Sequence, residues 1–312
     1  MRFRKAGFLA LISALPALAA TDGALLALVP SGTKVVSSVD VNKARSSPFG
    51  QFLLARMNAQ DPGLQNLNDQ TGFDPRRDLE YLVFAATGPK GTARDYVLLL
   101  RGTFDQARIS SLAQSKGIDT VTVDGVPIYF NSKRGQQPAF TFPEVDVAAL
   151  GTVAALQQVI QNRANPAILD SDLQQLVSQA GAQNDAWFAS LIPATFFANE
   201  FVAGATSTAG PAQILQAVRG SSGGVLFGDS LRFTFDAVTR SAQDALALSD
   251  VLRFAAGTVA TRPDARAQMV APALAAATVS TSGSAVHASM NLTEQTMEQL
   301  VQMGLPARHN TH

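Results

Sequence analysis

Short stretches of this chain alternate apolar and polar residues with a period of two, and helical-period stretches fall between them. Lys34–Val41, Leu79–Ala86 and Tyr96–Leu100 read as strands, the last two joined through a connection containing Gly88, Pro89 and Gly91. Thr103 or Asp105 is placed to cap a helix that stops near Gly117. Thr120–Val123 and Val126–Phe130 then form a hairpin on the turn pair Asp124-Gly125. A strand at Ala139–Phe142 and an amphipathic helix over Val145–Gln161 follow. Near the start, Ser47 and Pro48 suit a cap and a first helical residue, with Phe49, Phe52, Leu53 and Met57 on one helical face.

The second half repeats the rhythm. Ala186–Leu191 is a candidate strand and Ala212–Val218 a short helix. Gly224–Phe227 and Ser230–Asp236 suggest a hairpin around Gly228-Asp229. Ser241 and Asp244 match a capping box before a helix to about Ala256. A hairpin of Ala276–Ser280 and Ser284–Met290 turns at Ser282-Gly283, and Asn291 and Glu294 open a last helix, Thr293–Met303. Hairpins dominate, so the fold class is α+β: a mainly antiparallel sheet with helices packed on one face. The order strand, capped turn, helix recurs, which is compatible with duplication of a β-β-α unit. The organisation expected is a signal peptide at 1–19, α+β units at 20–165 and 166–304, and a flexible tail at 305–312.

The N-terminus changes the picture of where the protein works. Arg2, Arg4 and Lys5 precede an apolar stretch from Ala6 to about Ala20, and Ala17 and Ala19 stand at the small-residue positions of an A-x-A cleavage site. The stretch is short of the roughly 20 residues that span a bilayer, so cleavage after Ala19 leaves no membrane span. Export to the periplasm or beyond is the expectation. Lys+Arg and Asp+Glu are equal at 24 each, and cleavage tips the balance slightly acidic, which gives no electrostatic reason to bind nucleic acid. The absence of cysteine excludes disulfides, thiolate metal sites and Cys nucleophiles.

Candidate chemistry is sparse. Gly220-Ser221-Ser222-Gly223-Gly224 matches G-x-S-x-G, and His287 follows it with several aspartates between. The motif works on a strand-to-helix turn, whereas a helix precedes it here and a strand follows, so the five residues read as a flexible connection. Ser222 and His287 are therefore weak catalytic candidates. His287 falls on the polar side of its strand. Ser31 and Lys34 match S-x-x-K but enter a strand rather than open a helix. Asp170 and Asp172 suit helix capping better than a cation. His309 and His312 lie in the tail. No metal or cofactor site is expected. Arg76 and Arg77, in the loop Gly72–Asp78, suit a partner or an anion. Trp187, Phe188, Phe196, Phe197 and Phe201 form an aromatic cluster suited to lining an apolar ligand site.

The run LLALVPSGTKVVSSVDV, then SSPFGQFLLARM, TGFDPRRDLEYLVFAATG and LLLRGTF resembles a group of uncharacterised exported bacterial proteins. Their shared plan is a signal peptide, a "VP…VDV…SPFG" opening and a "GFDPRRD" loop. The resemblance covers about a quarter of the chain and implies export and an α+β fold. The expected function is an exported, non-enzymatic binding or interaction protein of the bacterial cell envelope. The alternative is a carrier of an apolar, lipid-like ligand, and a serine hydrolase ranks below both. The partner is accordingly an unknown protein or an apolar small molecule.

Overall fold

Aspartate side chains start most of the helices. The carboxylates of Asp22, Asp40, Asp61, Asp74, Asp105, Asp170 and Asp264 each accept a hydrogen bond from a backbone N–H in the first turn that follows. Much of the acidic complement is therefore spent on local structure. A computed structural model of the chain describes residues 22–56, 61–88, 95–132, 138–192 and 214–304. The segment expected to be a signal peptide, Phe196, Phe197, Phe201, His309, His312 and the expected tail at 305–312 lie outside the described residues.

In chain order the elements begin α1 (Gly23–Ala27), β1 (Val35–Asp40), α2 (Val41–Ser46), α3 (Pro48–Arg56), α4 (Pro62–Thr71), α5 (Pro75–Asp78), β2 (Leu79–Ala86) and β3 (Tyr96–Gly102). Next come α6 (Gln106–Ser115), β4 (Asp119–Val123), β5 (Val126–Phe130), β6 (Ala139–Glu144), β7 (Val147–Gly151), α7 (Val153–Asn162) and α8 (Ser171–Gln183). The last third holds β8 (Ala186–Ser190), β9 (Val218–Leu226), β10 (Ser230–Thr239), α9 (Ala242–Ala260), α10 (Ala265–Ala275), β11 (Thr278–Ser282), β12 (Ala285–Thr293) and α11 (Glu294–Gly304).

Among the described residues twelve strands join one antiparallel sheet, ordered β11-β12-β10-β9-β8-β1-β2-β3-β7-β6-β5-β4. The two halves meet where β1 pairs with β8, so the sheet is continuous across them. Each half runs three sequential strands, then one or two helices, then a return that brings its last strand against the third: β7 on β3 and β12 on β10. That shared plan is what a duplicated unit would leave.

One face of the run β8-β1-β2-β3-β7-β6 is dry. Val36, Val83, Val97, Leu99 and Ala189 are fully or almost fully buried there, under α1, α7 and α8. Leu156, Val159 and Leu173 supply the helix side of this core. Asn162 ties α7 to the chain after α1, its Nδ2 donating to the carbonyls of Leu28 and Val29 at 3.2 and 2.9 Å. The expected arrangement, helices over one face, describes these strands. Beyond β9 the helices change sides. A β-bulge between Val238 and Thr239 turns Val218 towards the opposite face, where Ala245 and Leu248 of α9 pack on Ala237 and Val286.

Three local readings are corrected. Residues 147–151, expected in a helix, form β7, because both of its neighbours, β3 and β6, supply backbone partners. Gly220–Gly224, expected as a flexible connection after a helix reaching Val218, lies inside β9. Its glycines are a packing requirement: a Cβ at Gly223 would lie 2.4 Å from the Thr234 carbonyl oxygen, and one at Gly224 2.3 Å from that of Ala186. The last hairpin turns at Gly283-Ser284, one residue later than expected, with Gly283 at φ +56°. The Asp124-Gly125 turn is as read, with φ values of 46° and 78°.

Candidate functional site

The opposite face of the run β8-β1-β2-β3-β7-β6 is largely apolar too, yet much of it is only half-buried. Register fixes which residues share it. Reading across the sheet from β6 to β8, Phe140 stands opposite Leu150, Leu150 opposite Leu98, Leu98 opposite Phe84, Phe84 opposite Ser37, and Ser37 opposite Phe188. Side chains directly opposite in an antiparallel pair project to the same side. The row is capped at one end by a ring chain: Tyr129 stacks on Phe140 at 4.8 Å, and Phe140, Phe142, Phe104 and Phe73 follow at centroid spacings of 6.1, 5.8 and 5.1 Å. At the other end it runs through Gly223 to Phe235, under α9. Between the two, Phe188 is 37% exposed and Phe84, Leu98 and Leu150 are intermediate. Val39, Leu82 and Leu100 flank the row on the same side.

This geometry divides the aromatic cluster read from the sequence. Trp187 is 4% exposed and joins the dry core, while Phe188 projects from the opposite face. Consecutive strand residues do this necessarily, so the two cannot line one site. Phe188 belongs instead with Phe84, Leu98 and Leu150.

The Arg76–Arg77 loop holds its own charge. Nε and Nη2 of Arg76 donate to the two carboxylate oxygens of Asp74 at 2.9 and 2.7 Å. Arg77 makes the same fork on Asp78 at 2.7 and 2.8 Å. The Arg76 and Arg77 hydrogen bonds hold the Asp74 and Asp78 carboxyls below the usual carboxylate range. Neither guanidinium presents an unengaged fork to an anion, and Phe73, next in the loop, anchors the end of the ring chain.

Ser222 and His287 do not meet. Ser222 lies on β9, Asp236 opposite it on β10, and His287 opposite Asp236 on β12. Two strand spacings separate serine from histidine, roughly 10 Å. His287 Nδ1 bonds Asp236 Oδ1 at 2.9 Å, so the acid stands between the base and the serine, where a nucleophile would have to be. Ser222 is 0% exposed beneath α8, and its hydroxyl has no hydrogen-bond partner. The hydrolase reading fails on this geometry.

A surface hollow of about 460 Å³ lies at the ends of β1–β3, with the charged side chains of Asp22, Asp40, Lys43, Glu80 and Arg101 and the ring of Tyr81 in its lining. Its charges are mostly paired internally: Arg101 with Asp22 and Asp146, and Lys43 with Asp185 at 2.8 Å. The Asp185 hydrogen bond raises the Lys43 pKa. Among the described residues no group of three or more His, Asp or Glu side chains is placed to hold a metal ion, and no helix is long and apolar enough to cross a membrane.

Comparison with known proteins bears on the fold alone. No family model matches the chain, and no curated protein matches it. Two solved structures align over most of its length. Crystal form I of TP0453 does so with a TM-score of 0.50 at 8% identity, covering 91% of this chain and 98% of that one. Crystal form IV gives 0.49 at 8% identity, covering 88% and 95%. The chain shares its α+β architecture with crystal form I of TP0453.

Sequence reasoning missed Phe84, Leu98, Leu150 and Phe140 as a group. Each stands in a strand that was recognised, but sharing a row depends on register between strands far apart in the chain.

Proposed function

We propose that this protein is exported to the bacterial cell envelope and acts there as a non-enzymatic binding protein, holding an apolar molecule against the half-buried face of its sheet. The observation that carries this reading is the row Phe140–Leu150–Leu98–Phe84–Phe188. On the dry face of the same strands Val36, Val83, Val97, Leu99, Ala149 and Ala189 are 0% exposed, whereas this face keeps aromatic and aliphatic surface within reach of solvent. Covering such surface yields about 25 cal/mol per Å². The row presents no charged side chain, so the fitting ligand is an apolar or amphipathic small molecule whose hydrocarbon lies along the strand crossings. Arg2, Arg4, Lys5 and the Ala17/Ala19 pattern support export.

The test is mass spectrometry of the protein purified from an exporting host, under native and then denaturing conditions. The expected result is a chain beginning at Ala20 with a stoichiometric adduct that vanishes on denaturation. Leu98→Asp or Phe84→Asp places a carboxylate in the row and should abolish the adduct while far-UV circular dichroism persists. A bare wild-type chain overturns the reading, as does an adduct that survives both substitutions.

A further inference from the structure

β11 forms one edge of the sheet. Its hairpin fixes which backbone groups face outward. The two-residue turn at Gly283-Ser284 makes Ser282 and Ala285 the closing pair, so alternate residues of β11 bond inward to β12. Ser280, opposite His287, is one of the inward-bonded residues. Val279 and Thr281 therefore direct their N–H and C=O groups away from the sheet. Arg253 of α9 marks that direction, for its Nη2 donates to the Val279 carbonyl at 2.7 Å.

Natural sheets blunt such edges with charge, proline or a bulge. The strand here is Thr-Val-Ser-Thr-Ser, with none of these, and Thr278, Ser280, Thr281 and Ser282 are all exposed. The surface continues onto α9. Leu246, Asp250, Arg253 and Phe254 fall at positions that share one side of that helix, the side from which Arg253 reaches the edge. Leu246 is 57% and Phe254 77% exposed. Asp250 and Arg253 contribute one charge of each sign and form a loose, exposed pair at 3.4 Å.

The geometry points to a second copy of this chain as the occupant of this edge and helix side. A two-fold axis through Ser280 sets each Val279 opposite the second copy's Thr281, and the four outward groups on each side then exchange backbone hydrogen bonds. No charged side chain of β11 opposes another. The same axis lays the two α9 helices antiparallel, where Arg253 leaves the Val279 carbonyl and meets the second copy's Asp250. A surface carrying one charge of each sign, exchanged by the axis, complements itself better than it complements a strongly basic or acidic peptide. Leu246 and Phe254 give the contact its apolar part, and two sheets become one.

Sedimentation velocity of the full chain, as purified from its host, tests this across low micromolar to several hundred micromolar concentration. The dimer fraction should rise with concentration. Thr281→Pro removes only an outward donor, a position where an edge strand tolerates proline, and Phe254→Asp puts charge in the apolar part. Each should weaken dimerisation at least about tenfold, the equivalent of about 1.4 kcal/mol. Hydrogen exchange at the Thr281 amide should slow as the wild-type dimer forms. A wild type that stays monomeric throughout overturns the proposal, and so does a dimer that Phe254→Asp leaves unchanged. Should Thr281→Pro perturb the fold by circular dichroism, Phe254→Asp and the exchange rate decide alone.

Discussion

Replacing Ser222 with alanine should stabilise this protein. The residue sits in the middle of β9, facing α8, at 0% exposure, with Ala189 opposite it on one side and Asp236 on the other. Its hydroxyl has no partner, and Asp236 directs a carboxylate oxygen to His287 instead. A buried hydroxyl without a hydrogen bond costs about 1–3 kcal/mol relative to water. Ser222→Ala removes that cost and sacrifices the dispersion contacts of one oxygen atom, each on the order of 0.1–0.2 kcal/mol. The balance favours the variant by about 1 kcal/mol. In a domain of this size that raises the melting temperature by roughly 2 °C. Urea unfolding followed by tryptophan fluorescence reads it directly, since Trp187 is the single tryptophan and lies on the adjacent strand, opposite Gly224. The midpoint should move up with an unchanged slope. A loss of 1 kcal/mol or more would refute the reasoning, because the hydroxyl would then have a partner worth keeping.

Two further outcomes follow from the fold. Trp187→Ala should cost about 3–5 kcal/mol in urea unfolding, and Phe188→Ala less than half as much, because the first side chain is 4% exposed and the second 37%; equal costs would mean that both pack in one core. Asp74 and Asp78 have carboxyls held below their ordinary pKa by Arg76 and Arg77. Their contribution is present above the unfolded carboxylate pKa of about 4 and is lost as pH falls through the lowered folded values. The double variant Asp74→Asn, Asp78→Asn should therefore lose less stability than wild type on acidification below about pH 4, read as urea midpoints against pH. Parallel curves would show that the forks contribute nothing.

Local chemistry made much of this architecture legible. Strands β2, β3, β5 and β8 follow from short runs rich in aliphatic and aromatic residues, a pattern expected of strands that carry apolar side chains on both faces. The caps at Asp105, Asp170 and Ser241 and the turn at Asp124-Gly125 follow from side-chain oxygens and left-handed backbone within a few residues. Alternation also separates Trp187 from Phe188, a consequence the cluster reading overlooked. Helix α10 has Pro272 inside it, an internal breaker that hides the helix from a local reading.

What the sequence could not decide depends on strands that meet from distant parts of the chain. Gly220–Gly224 reads locally as a loop, and becomes a strand because the backbones of β8 and β10 approach too closely for a Cβ. The distance between Ser222 and His287 depends on β10 being inserted between their strands. The row from Phe140 to Phe188 depends on the order β6-β7-β3-β2-β1-β8, which no local pattern encodes. Backbone propensity and capping act over a few residues and so are written in sequence. Register and strand order are set by which long-range pairings bury the most apolar surface together, and only the assembled sheet decides them.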